Sequence, residues 1–268
     1  MLREKLLIGQ YLAIDSPVAR LSAQCKLLCT LLYMIALFVA NNWYQWGLLS
    51  ALCLAAILLS RAPWRALWRA LRPVLVFCAM IVVVDTLFYP GEPLWQWGIV
   101  TVTREGIHFG LAMGLRLLLI VLFAALLTLT TEPIRLTDGL EALFAPLKKI
   151  GFPAHEIAMM MALALRFIPT MLDEFERIML AQRARGARIA KRNLWRKAQS
   201  LLPVLVPLFA GAFRRADDLA QAMEARCYRG GRGRSKWKTQ RFGCADLLTL
   251  LFFLLLLAAL ILLRMELL

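Results

Sequence analysis

Two tripeptides hold the clearest chemistry in this chain, Ala184-Arg185-Gly186 and Ala225-Arg226-Cys227. Each sets one guanidinium between small residues where a long helical pattern ends. Each end therefore presents an exposed cation that stays charged and carries five N–H donors. At an offset of 41 residues the preceding segments also align, Ala181 with Ala222, and carboxylates cluster upstream, Asp173, Glu174 and Glu176 against Asp217 and Asp218. A weak repeat that ends twice in an exposed cation implies two equivalent plugs for two equivalent sockets, on another protein.

Other chemistry is sparse. The six cysteines include no Cys-x-x-Cys pair, and four lie in apolar runs, so they read as small reduced hydrophobes. His108 and His155, the only histidines, are expected on opposite sides of a membrane, which excludes a shared metal site. Gly230 to Lys236 lacks the Gly-x-x-x-x-Gly-Lys-Ser/Thr order of a phosphate cradle, so any ATP and magnesium belong to another chain. No nucleophile and base pair supports a membrane-bound enzyme. The net charge of +15 raises nucleic acid as a partner, but no binding module accompanies it. The basic stretch from Arg229 to Lys238 suits anionic lipid headgroups instead.

The elements that must position the two arginines are mostly membrane helices. Hydrophobic residues make up 61% of the 268 positions and charged residues 18%, the balance of an all-α integral membrane protein. Five runs approach the roughly 17 to 25 residues a span requires: 25–41, 43–60, 71–89, 107–130 and 245–263. Arg3, Lys5, Arg20 and Lys26 surround the start of the first, and Arg61, Arg65, Arg69 and Arg72 fill the loop after the second. Residues 131–241 hold 21 of the 32 Lys and Arg against 10 Asp and Glu. Short basic loops stay inside, so the N-terminus is expected in the cytoplasm and the C-terminus outside. Trp43, Trp46, Trp95 and Trp97 then form an outer aromatic belt.

This gives an N-terminal membrane bundle over 1–130, a cytoplasmic coupling region over 131–241 and a last membrane helix over 242–268. Asp85 and Arg116 are intramembrane charges, and Arg116 is expected to satisfy backbone carbonyls or a neighbouring helix end. Gly106, Gly110 and Gly114 form a ladder that permits close helix packing. In the cytoplasmic region Pro133 opens one helix, a second runs over about 154–185 to Gly186, and a third over about 194–227 is kinked at Pro203 and Pro207. The apolar stretches 157–172 and 201–213 read as helices lying under the membrane, since crossing would carry a strongly basic segment outward. Met159, Met160, Met161, Leu163, Leu165 and Phe167 give the first of them an adaptable apolar face.

These residues resemble a known family, the transmembrane T component of energy-coupling factor importers for vitamins and metal ions. The likeness runs through Ser16-Pro17-Val18-Ala19-Arg20-Leu21 with Lys26, Thr130-Thr131-Glu132-Pro133, Leu165-Arg166-Phe167-Ile168-Pro169-Thr170, and most specifically the two arginine motifs. Cys227 stands where the family pattern has glycine. The resemblance implies a non-catalytic subunit of a prokaryotic cell membrane that joins two cytoplasmic ATPases, identical or different, to a separate substrate-binding membrane protein. Ala184, Arg185, Gly186, Ala225, Arg226 and Cys227 would dock the ATPases. Met159, Met160, Met161, Leu165, Phe167 and Pro169 would form the surface on which the substrate subunit slides. The alternative is a self-sufficient channel or permease centred on Asp85 and Arg116, with a basic regulatory region.

Overall fold

The computed structural model describes residues 16–90, 93–97, 100–144, 153–186, 194–230 and 242–265. Its contacts divide the chain into two compact units, Met1–Ala142 with Lys238–Leu268, and Leu143–Trp237. The first unit contains α1 (Pro17–Arg20), α2 (Ala23–Val39), α3 (Trp43–Ser60), α4 (Trp64–Phe88), β1 (Pro93–Trp97), β2 (Val100–Thr103), α5 (Arg104–Thr130), most of α6 (Pro133–Phe144) and α9 (Cys244–Met265). The second contains α7 (Ala154–Ala184) and α8 (Leu194–Ala225).

Local chemistry sets the helix starts. Ser16 accepts a hydrogen bond from Ala19 N at 3.1 Å, and Ser22 accepts one from Cys25 N at 3.3 Å, capping α1 and α2. The turn at Asn41 and Asn42 is held by Gln45, whose side-chain oxygen accepts from both backbone N–H groups at 2.8 and 3.2 Å. Thr103 caps α5 by accepting from Gly106 N and donates its own hydroxyl proton to Tyr89 O.

Among the described residues five helices are long and apolar enough to cross a membrane, α3, α4, α5, α7 and α9, while α2 is a shorter apolar helix of 17 residues. One boundary differs from the expectation. The basic segment read as a loop through Arg72 is helical from Trp64 onward. Leu67 and Leu71 are buried while Arg65 and Arg69 are exposed, so the arginines occupy the outer face of an amphipathic first turn rather than a connection. The helix expected over about 154–185 is present as α7, 31 residues long, and its length and composition are those of a span.

The connection from Pro90 to Gly106 contains a small antiparallel ribbon, with Trp95 opposite Val102, Gln96 opposite Thr101 and Trp97 opposite Val100. β-branched Val100 to Thr103 favour that extended backbone. The ribbon leaves the all-α membrane class unchanged.

The core of the first unit centres on Tyr33. Its ring stacks on Phe123 at 4.1 Å and its hydroxyl donates to Leu49 O at 3.0 Å, with Leu37, Leu49, Cys53 and Leu119 around it. Phe253 of α9 meets Phe123 edge-on at 6.2 Å. Along α5 the glycine ladder faces α4. A Cβ on Gly106 would lie 2.7 Å from Asp85 O, and one on Gly110 would lie 3.2 Å from Val82 Cα. The small residues therefore bring two helices of one chain together.

Candidate docking site on two helix ends

Both arginine motifs are helix C-termini of the second unit. At the end of α7, Arg185 N donates to Ala181 O at 3.1 Å, Gly186 N donates to Arg183 O at 3.0 Å, and Gly186 turns left-handed at φ 85°. At the end of α8, Cys227 N donates to Glu224 O at 2.8 Å, Tyr228 N donates to Met223 O at 3.0 Å, and Cys227 turns left-handed at φ 54°. The second arrangement is a full Schellman cap. The same bond from the left-handed residue, to the carbonyl three positions back, closes both ends, so Arg185 and Arg226 hold equivalent positions on them.

All six motif residues are exposed. Each helix end also concentrates carbonyl dipoles, so an arginine there is favourably placed and its fork is free to take an acidic group from outside. A Cβ on Gly186 would meet nothing within 4 Å, so its requirement is conformational rather than spatial.

The carboxylates upstream separate in role. Glu174 Oε2 accepts from Arg215 Nη2 at 2.5 Å, an ion pair joining α7 to α8 with both side chains 33% exposed. Arg215 had not been singled out in the sequence. The available signal was its spacing, since it stands 41 residues after Glu174 with the charge reversed. Beside the pair, a cavity of about 300 Å³ is lined by Phe167 and Met171 of α7 and by Ala212, Ala216, Leu219 and Met223 of α8.

The expected apolar face is split. Met160 and Met161 are exposed, at 57% and 39%, and Pro169 is exposed within α7. Met159 and Leu165 are half-buried, and Phe167 turns to the cavity against α8. A second apolar stripe lies on α8 at Leu202, Val206, Phe209 and Phe213, exposed by 53% to 70%. Helix α8 continues through both Pro203 and Pro207.

In the first unit Arg116 Nε donates to Leu37 O at 3.2 Å, and its guanidinium lies 5.3 Å from the Phe38 ring centre and 5.1 Å from that of Trp46. Trp46 is therefore an inward residue, 3% exposed, and not part of an outer belt, whereas Trp43 is half exposed. Asp85 packs its backbone and Cβ against Gly106 and Gly110. Among the described residues no ion pair joins Asp85 to Arg116.

Two buried charges carry more structure than the sequence revealed. Lys26 Nζ donates to Ala19 O, Thr130 O and Thr131 Oγ1 at 3.0 to 3.3 Å, so all three of its protons are used where α1, α2 and the end of α5 meet. Asp246 accepts from Ser22 N at 2.8 Å and from Gly243 N at 2.9 Å, fixing the start of α9 to that of α2.

Among the described residues no cluster of three or more His, Cys, Asp or Glu could hold a metal. Cys25, Cys29, Cys53 and Cys78 are buried free thiols, and Cys227 and Cys244 are exposed. His108 sits edge-on against Trp43 at 5.7 Å. Arg3, Lys5, Arg188, Lys191, Arg192 and the basic stretch from 231 to 241 lie outside the described residues.

Residues 15–237 match the family model described as CbiQ, cobalt transport protein. The chain is 48% identical over 257 residues to the energy-coupling factor transporter transmembrane protein EcfT of Acidaminococcus fermentans, covering 96% of each chain. It is 44% identical to the protein of that name from Thermosediminibacter oceani, over 91% of this chain and 92% of the relative. The Streptococcus thermophilus protein of that name is 40% identical, over 92% and 94%. With its apolar helices and its two capped arginine ends, the chain belongs to this family of multi-pass membrane proteins, the transmembrane components of energy-coupling factor transporters.

Proposed function

We propose that this chain is the coupling subunit of its transporter, joining two cytoplasmic ATPases to a separate substrate-binding membrane protein and passing ATP-driven motion between them for vitamin or metal-ion uptake. The observation that carries the reading is the matched pair of exposed arginines at capped ends of α7 and α8. Each cap aims one guanidinium outward from a rigid helix, the arrangement a groove with acidic walls recognises.

On this reading Ala184, Arg185 and Gly186 enter one ATPase, and Ala225, Arg226 and Cys227 enter the other. ATP binding changes the separation of the two grooves and moves α7 and α8 with them. Met160, Met161 and Pro169 of α7, with Leu202, Val206, Phe209 and Phe213 of α8, face the substrate subunit. The ATPases bind ATP and magnesium, so no nucleotide site is assigned to this chain. The excess of Lys and Arg in 131–241 supports a cytoplasmic position for that region, with the N-terminus inside and the C-terminus outside.

A pull-down from native membranes tests the reading, comparing wild type with the Arg185→Glu, Arg226→Glu variant. Wild type should recover ATPase chains and a small membrane protein, and the variant should lose the ATPases while still inserting in the membrane. ATPase recovery by the variant equal to wild type would overturn the docking role.

A further inference from the structure

We propose that the Glu174–Arg215 pair is the fulcrum on which α7 and α8 turn against each other, a positioning device that rests on the coupling role proposed above. The two helices pass each other in opposite directions. Glu174 meets Arg215, and Gly230, just past the end of α8, would place a Cβ 3.6 Å from Oε1 of Glu156 in the first turn of α7, so the chain runs back along α7 as it runs forward along α8.

From that pair the two docking ends are equally distant. Arg185 lies 11 positions beyond Glu174, and Arg226 lies 11 positions beyond Arg215. At about 1.5 Å per residue each end stands about 16 Å along its helix, on opposite sides of the ion pair. A rotation about the pair therefore displaces both arginines equally and oppositely. Two sockets related by a twofold axis require that motion when they close.

The packing around the pair permits rotation. Ala212, Ala216 and Ala220 present small side chains toward Phe167 and Met171, leaving the cavity of about 300 Å³ instead of an interlocked contact. The space is a groove open on one side, so Phe167 and Met171 have room there to shift over the alanines as the helices turn. The ion pair supplies the directional bond. Arg215 bonds through Nη2, while its Nη1 is buried without a hydrogen-bond partner among the described residues. That second donor lets Glu174 pass from one nitrogen to the other as the helices turn, so contact persists through the stroke.

The test uses the complex purified with its ATPase partners. Ketone-reactive nitroxides go on p-acetylphenylalanine placed at Leu180 and Gln221, exposed positions one repeat apart, so that no native cysteine is changed. Pulsed electron resonance reads the distance between labels without nucleotide and with ATP and magnesium. The native pair should give two discrete distances. Glu174→Gln and Arg215→Gln should each lower the fraction at those distances about threefold, the scale of a partly exposed charge-assisted pair. Exchanging the charges, Glu174→Arg with Arg215→Glu, should restore both, and Arg215→Lys, which keeps the charge but offers no second fork nitrogen, should keep the nucleotide-free distance and broaden the ATP distance, which a static tie would not do.

If the native complex shows no nucleotide-driven change, the coupling role and the fulcrum fall together. If it does change and the neutral variants change as sharply, the fulcrum alone falls. Should neither single variant assemble, the exchanged pair decides. Two discrete distances then uphold the fulcrum, and broad distances or misassembly refute it.

Discussion

Gly186 and Cys227 follow the two exposed arginines in the same left-handed conformation, at φ 85° and 54°. Glycine adopts that region without steric cost, but in cysteine the Cβ crowds the following carbonyl, by about 1 to 2 kcal/mol. Cys227 holds it because the bonds from Cys227 N and Tyr228 N close the cap.

Replacing Cys227 with glycine should therefore stabilise this helix end by about 1 kcal/mol while leaving ATPase recovery at the native level. Gly186→Val should act oppositely, since a β-branched side chain at positive φ strains the cap of α7. Thermal unfolding of the purified variants, with pull-down of ATPase chains, measures both. A stabilising Gly186→Val would contradict the conformational argument.

The glycine ladder predicts an order of damage. A Cβ at position 106 would meet Asp85 O at 2.7 Å and one at 110 would meet Val82 Cα at 3.2 Å, both backbone atoms, whereas at 114 the nearest atom is Val82 Cγ2 at 3.1 Å. Backbone cannot swing aside and a side-chain methyl can. Gly106→Ala should cost most, Gly110→Ala less and Gly114→Ala least, within a range of about 1 to 3 kcal/mol. Melting temperatures in detergent would expose a different order.

What was legible in the sequence follows from the range of the interactions. The ends of α7 and α8 could be read because Gly186 and the Ala-Arg-small pattern act within one turn. The start of α4 was misplaced because Arg65, Arg69 and Arg72 were weighed as charges in a loop, although Leu67 and Leu71 mark a helix face. Trp46 was set in an aromatic belt because nothing local reveals Arg116 above its ring. Asp246 could not be read at all, since its partner Ser22 is 224 residues away. The Glu174–Arg215 pair is likewise a tertiary contact, invisible until the two helices are laid together.

Lys26 and Asp246 predict that buried charge here serves architecture. Lys26→Met removes the three bonds to Ala19, Thr130 and Thr131 and takes the donor from the buried carbonyl of Thr130 and the part-buried one of Ala19, at a cost of about 2 to 4 kcal/mol. Asp246→Asn keeps the shape but turns an amide N–H toward Ser22 N or Gly243 N, so it should destabilise nearly as much. Both losses should appear in the melting curve of the chain alone, without its partners. An unchanged melting temperature for Lys26→Met would show that water substitutes for the ammonium.

The apolar stripe on α8 predicts a division between folding and assembly. Phe209 and Phe213 are 61% and 70% exposed, so little of their area is buried within the chain and converting either to aspartate removes few internal contacts. A mutation there should leave melting within about 0.5 kcal/mol of native, the usual range for surface substitutions. If the stripe instead packs on the substrate subunit, a carboxylate placed in that contact is desolvated without a partner and disfavours assembly by several kcal/mol. Phe209→Asp should therefore release the small membrane protein from the purified complex while the ATPases remain bound through Arg185 and Arg226. Loss of the ATPases with retention of the membrane partner would reverse the assignment of the two surfaces.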